Sequence, residues 1–315
     1  MIDIADILAA RERISRRVHR TPLLPSSQLG SMTGTRLWFK AESFQKTGSF
    51  KVRGVFNRIA QMDEAERARG LITISAGNHA QAVAYAACVE GIRATVVMPA
   101  HASPAKVEAS RAYGANVVLH GDVFGAFARM EELRHEHGYT LLHPFDDEAV
   151  IAGHGSVGIE IMEDLPAVDV VIVPVGGGGL ISGVAAAIRQ VRPQVRVVGV
   201  EPEGAANMSA ALAAGEVVKL DRILTIADGL APPSAGATTL EHVKAFVDEV
   251  VTVSDPDILR AMALVITRTK VFVEPSGAAG FAALLASRVT TSPDQSVVVV
   301  ASGGNIDMER LKELF

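Results

Sequence analysis

Cysteine is nearly absent from this chain of 315 residues: Cys88 stands alone. A single thiol excludes an intrachain disulfide and a cysteine metal cluster, and it fits a reducing compartment, the cytoplasm. No region concentrates charge of one sign. The net charge is −5 with acidic and basic residues interspersed, so no basic block points to nucleic acid or to a membrane surface. The N-terminus, Met1 to Ala10, lacks the basic start and apolar block of a secretory signal. The uncharged stretch from Val170 to Ile188 approaches membrane-spanning length, but Pro174 and four glycines divide it. It reads as strand, loop and Ala-rich helix in a soluble protein. No internal repeat or low-complexity tract is visible.

What is present is an alternation of short β-branched runs with helical patterns. Strands are expected at Leu71–Ile74, Ala94–Met98, Asn116–Leu119, Val170–Pro174, Arg196–Val200, Val250–Val253 and Ser296–Ala301. Several are nearly continuous apolar runs, as in a parallel sheet covered by helices on both faces. Helices are expected at Asn78–Val89, Pro104–Tyr113, Val123–His137, Gly179–Val191, Pro256–Thr269 and Ser276–Ala286. Ser103-Pro104 and Asp255-Pro256 each read as a capping side chain before a first-turn proline. The class is α/β with right-handed crossovers. Residues 70–147 form a run of strand–helix units and are expected to make a small lobe, with 1–62 and 149–315 making the large one. The stretch Pro232–Gly236 is expected to cross the surface near the site or between lobes.

Four tight motifs hold the chemistry. Glycines Gly176 to Gly179 sit between a strand end and a helix start, where successive N–H groups and the helix dipole suit a phosphate. The run has neither the lysine of a triphosphate loop nor the spaced glycines of a dinucleotide loop; its plain reading is a tight turn. Lys51, in Ser49-Phe50-Lys51-Val52-Arg53-Gly54, would ordinarily be a solvated lysine. Beside apolar Phe50, and with Arg53 and Lys46 near, it is expected to favour the neutral, nucleophilic amine. Ser75-Ala76-Gly77-Asn78-His79 and Ser302-Gly303-Gly304-Asn305 each follow a strand; either could be only a cap or a turn. Together, an amine for an aldehyde, a loop for a phosphate and two brackets for a ring describe a pocket for pyridoxal phosphate.

In this order and spacing the motifs resemble the fold-type II pyridoxal-phosphate enzymes, specifically the threonine/serine dehydratase and serine racemase branch. The likeness runs from Thr21-Pro22-Leu23 to Asn305 and includes Lys40–Gly48, Ile151-Ala152-Gly153-His154-Gly155, Ala227-Asp228-Gly229 and Glu274-Pro275-Ser276-Gly277-Ala278. The resemblance implies two lobes, each with a mainly parallel sheet, and a Schiff base on Lys51 beside Phe50. It places Asn78 at the ring hydroxyl, Gly176, Gly177, Gly178, Gly179 and Leu180 at the phosphate, Glu274 near the ring and Ser302 at the pyridine nitrogen. Ser75, Ala76, Asn78 and His79 would meet the substrate carboxylate as the small lobe closes. The implied reaction is β-elimination, giving 2-oxobutyrate from L-threonine or pyruvate from L-serine, with ammonia.

Departures choose between branches. Racemases of the family resemble Ser-Ser-Gly-Asn-His at the substrate loop, and the second serine is here Ala76, whose methyl transfers no proton. A dehydratase is therefore favoured over a racemase; a dehydratase for a bulkier or acidic β-hydroxy amino acid, of phenylserine or hydroxyaspartate type, is the alternative. Glu201 stands where racemase-like members hold a cation, but Asn207 replaces an acidic residue, so no metal is expected, even with Glu203 near. His101, His120, His135, His137 and His143 read as structural or solvated, and His154 and the Pro232-Pro233 loop have no assigned role. The chain ends ten residues after Asn305, so no regulatory domain responding to isoleucine is expected. A homodimer or larger homo-oligomer is the default assembly.

Overall fold

The computed structural model describes residues 1–315 and contains ten strands in two sheets. They are β1 (Leu23–Pro25), β2 (Arg36–Ala41), β3 (Leu71–Ile74), β4 (Ala94–Met98), β5 (Asn116–Leu119), β6 (Thr140–Leu141), β7 (Val170–Pro174), β8 (Arg196–Pro202), β9 (Glu249–Val253) and β10 (Ser296–Ala301). The six-stranded sheet of the large lobe runs β1-β2-β10-β7-β8-β9, and the four-stranded sheet of the small lobe runs β5-β4-β3-β6. All pairs are parallel except β1 with β2. The fold is therefore α/β, two lobes each built on a mainly parallel sheet.

Side-chain alternation along the central strands explains the layers. Val171 and Val173 of β7, with Val298 and Val300 of β10, enter one core; Val170, Ile172, Val297 and Val299 enter another on the opposite face. Every residue of β7 and β10 is buried, so both faces need helices. Eight helices bear on the site: α1 (Lys51–Ala60), α2 (Asn78–Val89), α3 (Pro104–Ala112), α4 (Glu148–Asp164), α5 (Gly179–Val191), α6 (Asn207–Ala214), α7 (Ala237–Phe246) and α8 (Pro275–Leu285). No helix is long and apolar enough to cross a membrane.

Several local expectations are corrected. The Ser103 side chain makes no cap bond to α3; its hydroxyl reaches across to Asp307. Asp255 lies inside its helix, where Ser254 is the cap, and its carboxylate accepts from Thr225 Oγ1 and Ile226 N instead. The helix expected to reach Thr269 turns into a π-type segment at Val265–Thr269 and stops at Lys270, φ 65°. Pro232–Gly236 lies near the site, one of the two places expected for it, but not as an exposed loop. Its residues are half-buried or buried, and a Cβ on Gly176 would lie 3.3 Å from Pro232 Cδ.

Strand ends place the motifs. β3 leads into Ser75, β7 into Gly176 and β10 into Ser302, all at carboxyl ends of parallel strands, where open α/β sheets hold their ligands.

Candidate active site

Lys51 is the first residue of α1, and its backbone is pinned by the β10 turn. Phe50 N donates to Ser302 O at 3.2 Å, Gly304 N donates to Gly48 O at 2.9 Å, and Ser49 bridges Gly303. Gly48 has φ 71°, and a Cβ there would meet Asn305 Oδ1 at 2.4 Å, so only glycine allows this approach. Lys51 Nζ donates to Pro144 O at 2.8 Å and lies 5.1 Å from the centre of the Phe50 ring. Burial disfavours the ammonium and lowers the Lys51 pKa to about 8. The expected direction holds, and its cause is the desolvation expected beside apolar Phe50. The Arg53 guanidinium, thought to assist, is turned into a buried ion-pair cluster with Glu42 and Glu160.

The glycine loop is a preformed anion cradle. The first intrahelical bond of α5 is Ser182 N to Gly178 O at 2.9 Å, and the amides from Gly177 to Ile181 have no main-chain acceptor. Gly178 has φ 94°. A Cβ on Gly177 would meet the Phe145 ring at 2.4 Å, so that ring closes one wall of the loop. Phe145 follows Pro144, whose carbonyl holds Lys51, and the same short segment therefore touches both the amine and the loop.

Asn78, Glu274, Asn305 and Gly303 form the opposite bracket. Asn78 Nδ2 donates to Glu274 Oε1 at 2.6 Å, and Asn305 Nδ2 donates to Asn78 Oδ1 at 2.8 Å. Burial pushes the Glu274 pKa up to about 7, although the Asn78 bond opposes it. Ser302 is buried, and its carbonyl accepts from the main chain of Phe50, the residue before Lys51. Ser75 Oγ accepts from Gly77 N at 3.1 Å, shaping the loop that contains half-buried Ala76. His79 is buried behind that loop, with Nε2 at 3.1 Å from Leu142 O and Nδ1 without a partner. His143 Nδ1 accepts from Asp146 N at 2.8 Å, which organises the turn holding Pro144 and Phe145.

The structure brings Lys51, Phe50, Asn78, Glu274 and Ser302 together with the glycine loop. Glu201 is elsewhere in role: it accepts from Met208 N, Ser209 N and Ser209 Oγ at 2.6 to 2.9 Å and so fastens the start of α6. Its burial raises its pKa, as expected of a carboxylate out of water. Glu203 is half-exposed and pairs with Arg288. Sequence reasoning missed Pro144 and Phe145, and Asn305 as a partner of Asn78. Only the His143-Pro144-Phe145 turn, a proline between two rings at a strand end, offered a local signal.

Pyridoxal phosphate fits these residues. The free amides match its phosphate and the Lys51 amine its aldehyde, and Ser49 Oγ and His79 Nδ1, on residues close in sequence to Lys51 and Asn78, are buried polar atoms without a partner. A charge consequence is testable without it. Glu274 holds its proton in the fold up to about pH 7 while an exposed glutamate loses it near 4.5, so the stability from this group is complete below the unfolded value and lost as pH rises to 7. Glu274→Gln, which keeps an acceptor for Asn78, is expected to raise cofactor-free stability at pH 8 by ~1–3 kcal/mol. Urea unfolding should show the gain shrinking towards pH 5; an equal effect at both pH values would contradict it.

Comparison with known proteins agrees with this geometry. Residues 14–303 match the family described as Pyridoxal-phosphate dependent enzyme. The chain is 45% identical over 315 residues to an L-threonine ammonia-lyase of Thermotoga maritima, covering 100% of this chain and 78% of that one. It is 41% identical to the catabolic L-threonine dehydratase TdcB of Escherichia coli, covering 99% of this chain and 96% of that one. Among solved structures, maize serine racemase superposes with a TM-score of 0.94 at 39% identity, covering 99% of this chain and 96% of that one.

Proposed function

We infer that this chain, which belongs to the family of pyridoxal-phosphate dependent enzymes, is a threonine/serine ammonia-lyase. It converts L-threonine or L-serine to 2-oxobutyrate or pyruvate, with ammonia. The observation that carries this reading is the half-buried Lys51 amine, held by the same segment that walls the glycine loop and with its pKa lowered to about 8.

Lys51 Nζ is the amine that would hold the cofactor's aldehyde, and as a free amine with a lowered pKa it can serve as general base. The amides of Gly176 to Leu180 would hold the phosphate, Asn78 with Glu274 behind it would face the ring hydroxyl, and Ser302 would offer a neutral hydroxyl to the ring nitrogen. When bound, pyridoxal phosphate supplies a conjugated ring that accepts the electron pair left at Cα. Lys51 Nζ takes the Cα proton and the β-hydroxyl leaves with a proton as water, so Cα and Cβ together lose one H2O and are left doubly bonded, Cβ regaining a proton as nitrogen is lost. Water then replaces nitrogen at Cα, so the net products are one oxo acid and one ammonia. The loop Ser75, Ala76 and Asn78 receives the substrate carboxylate, and His79 supports it through the Leu142 carbonyl. Residues 70–147 act as the small lobe that closes over the large lobe, 1–62 and 149–315, and excludes water. Ala76 offers only a methyl on the face opposite Lys51, which favours elimination over racemisation. Cytoplasmic residence and a homodimeric or larger assembly belong to the same reading, the first supported by the single, unpaired Cys88.

Purified protein given L-threonine should release 2-oxobutyrate and ammonia in equal amounts. A panel of β-hydroxy amino acids, including phenylserine and hydroxyaspartate, ranks the alternatives. No oxo acid from any of them would reject the reading.

A further inference from the structure

His154 is an anomaly of the core. It is fully buried in α4, and neither ring nitrogen has a hydrogen-bond partner. Buried polar groups are ordinarily satisfied, and an unmade bond costs more than a made one returns. Glycines leave it room: a Cβ on Gly54 of α1 would lie 2.6 Å from its Nε2, and a Cβ on Gly183 of α5 would lie 3.0 Å from its carbonyl carbon. Its ring meets Phe50 edge-on, centres 4.8 Å apart, so it backs the residue next to Lys51. Burial, then the Lys51 charge, keep it neutral, while the Gly179 main chain beside it pulls the other way. A neutral imidazole has one N–H to donate.

We propose that His154 is a positioning residue for the cofactor, its ring N–H closing on the Gly179 carbonyl when the glycine loop takes a phosphate, while its ring holds Phe50 against Lys51. The inference rests on the functional reading above and adds a residue that touches neither substrate nor reacting atoms. Two opposite effects follow. A polar group left unpaired in the empty protein weakens it, and the same group strengthens the loaded one.

The test titrates cofactor-free wild type, His154→Leu and His154→Gln with pyridoxal phosphate, following the visible Schiff-base band, and measures the melting temperature of each before addition. His154→Leu removes the donor from an apolar site and is expected to bind about tenfold more weakly. Its empty form should melt no lower than wild type. His154→Gln, which keeps an N–H, should return to within about threefold of wild-type affinity. A leucine variant that binds as tightly as wild type overturns the proposal. So does one that binds weakly only because its empty form melts lower. A wild type that forms no band rejects the functional reading and this proposal with it, whereas a wild-type band with an unchanged leucine variant rejects this proposal alone.

Discussion

Lys51→Ala is expected to lower threonine turnover more than about a thousandfold and to abolish the visible band formed with pyridoxal phosphate, because one amine serves as both tether and base. The substitution removes a half-buried amine whose only bond is to Pro144 O. Folding should therefore survive. The empty variant should be at least as stable as wild type below pH 8, where the fold must otherwise bury an ammonium. The sign follows from linkage: the Lys51 pKa falls from 10.5 to about 8 in the fold, so this group's penalty is complete below 8 and fades as pH rises towards 10.5. The same value sets a rate. Capture of pyridoxal phosphate by the wild-type apoenzyme should rise with pH and reach half its maximum near pH 8, when the amine loses its proton. Lys51→Arg, which stays protonated, should capture none. Retained activity in Lys51→Ala, or a band that survives it, would remove the basis of the functional reading.

How far such a site can be read from sequence depends on the range of the forces that build it. The strands β3, β4, β5, β7 and β10 begin and end where their β-branched runs do, because burial on both faces leaves a local signature. β2 escaped detection, since Lys40 lies inside it; only Glu160, far along the chain, makes that lysine tolerable in the core. α4 also escaped. Its glycines Gly153, Gly155 and Gly158 argue locally against a helix, yet a Cβ on Gly153 would lie 2.5 Å from Arg53 O, so close packing requires them. The catalytic lysine and the glycine loop were legible because each is a short segment at a strand end. Pro144, Phe145 and His154 were not, because their meaning lies in contacts with Lys51, Gly177 and Phe50 across the fold. The depressed lysine pKa was anticipated for a partly mistaken reason, as Arg53 faces away.

That turn of Arg53 away from the site and into the core sets the largest expected effect on stability. Two residues after Lys51, its guanidinium is fully buried and bonded to both oxygens of Glu42, at 2.8 and 2.9 Å, and both oxygens of Glu160, at 2.7 and 2.9 Å. Lys40, also fully buried, gives Glu160 a further bond at 2.6 Å. Two cations face two carboxylates, so the cluster is neutral as it stands. Arg53→Met would leave two buried carboxylates with one ammonium, and removing one partner from a buried cluster costs about 3–5 kcal/mol. Arg53→Lys should recover part of that, since it restores charge without the planar fork that reaches two carboxylates. Dependence on pH separates this from a packing defect. In wild type, burial pushes the Glu160 pKa up, but the charges of Arg53 and Lys40 outweigh it and the value ends below normal. Its contribution is therefore present above the unfolded carboxylate pKa and lost only as pH falls through the lower folded value. In the variant the burial effect on Glu160 loses its main opponent, that carboxylate holds its proton in the fold more readily, and stability should rise as pH drops from 8 to 5. Urea midpoints at those two pH values decide the matter. A loss below about 1 kcal/mol at pH 8, or variant and wild type changing in parallel, would mean the cluster is not what fastens the helix bearing Lys51 to the large lobe.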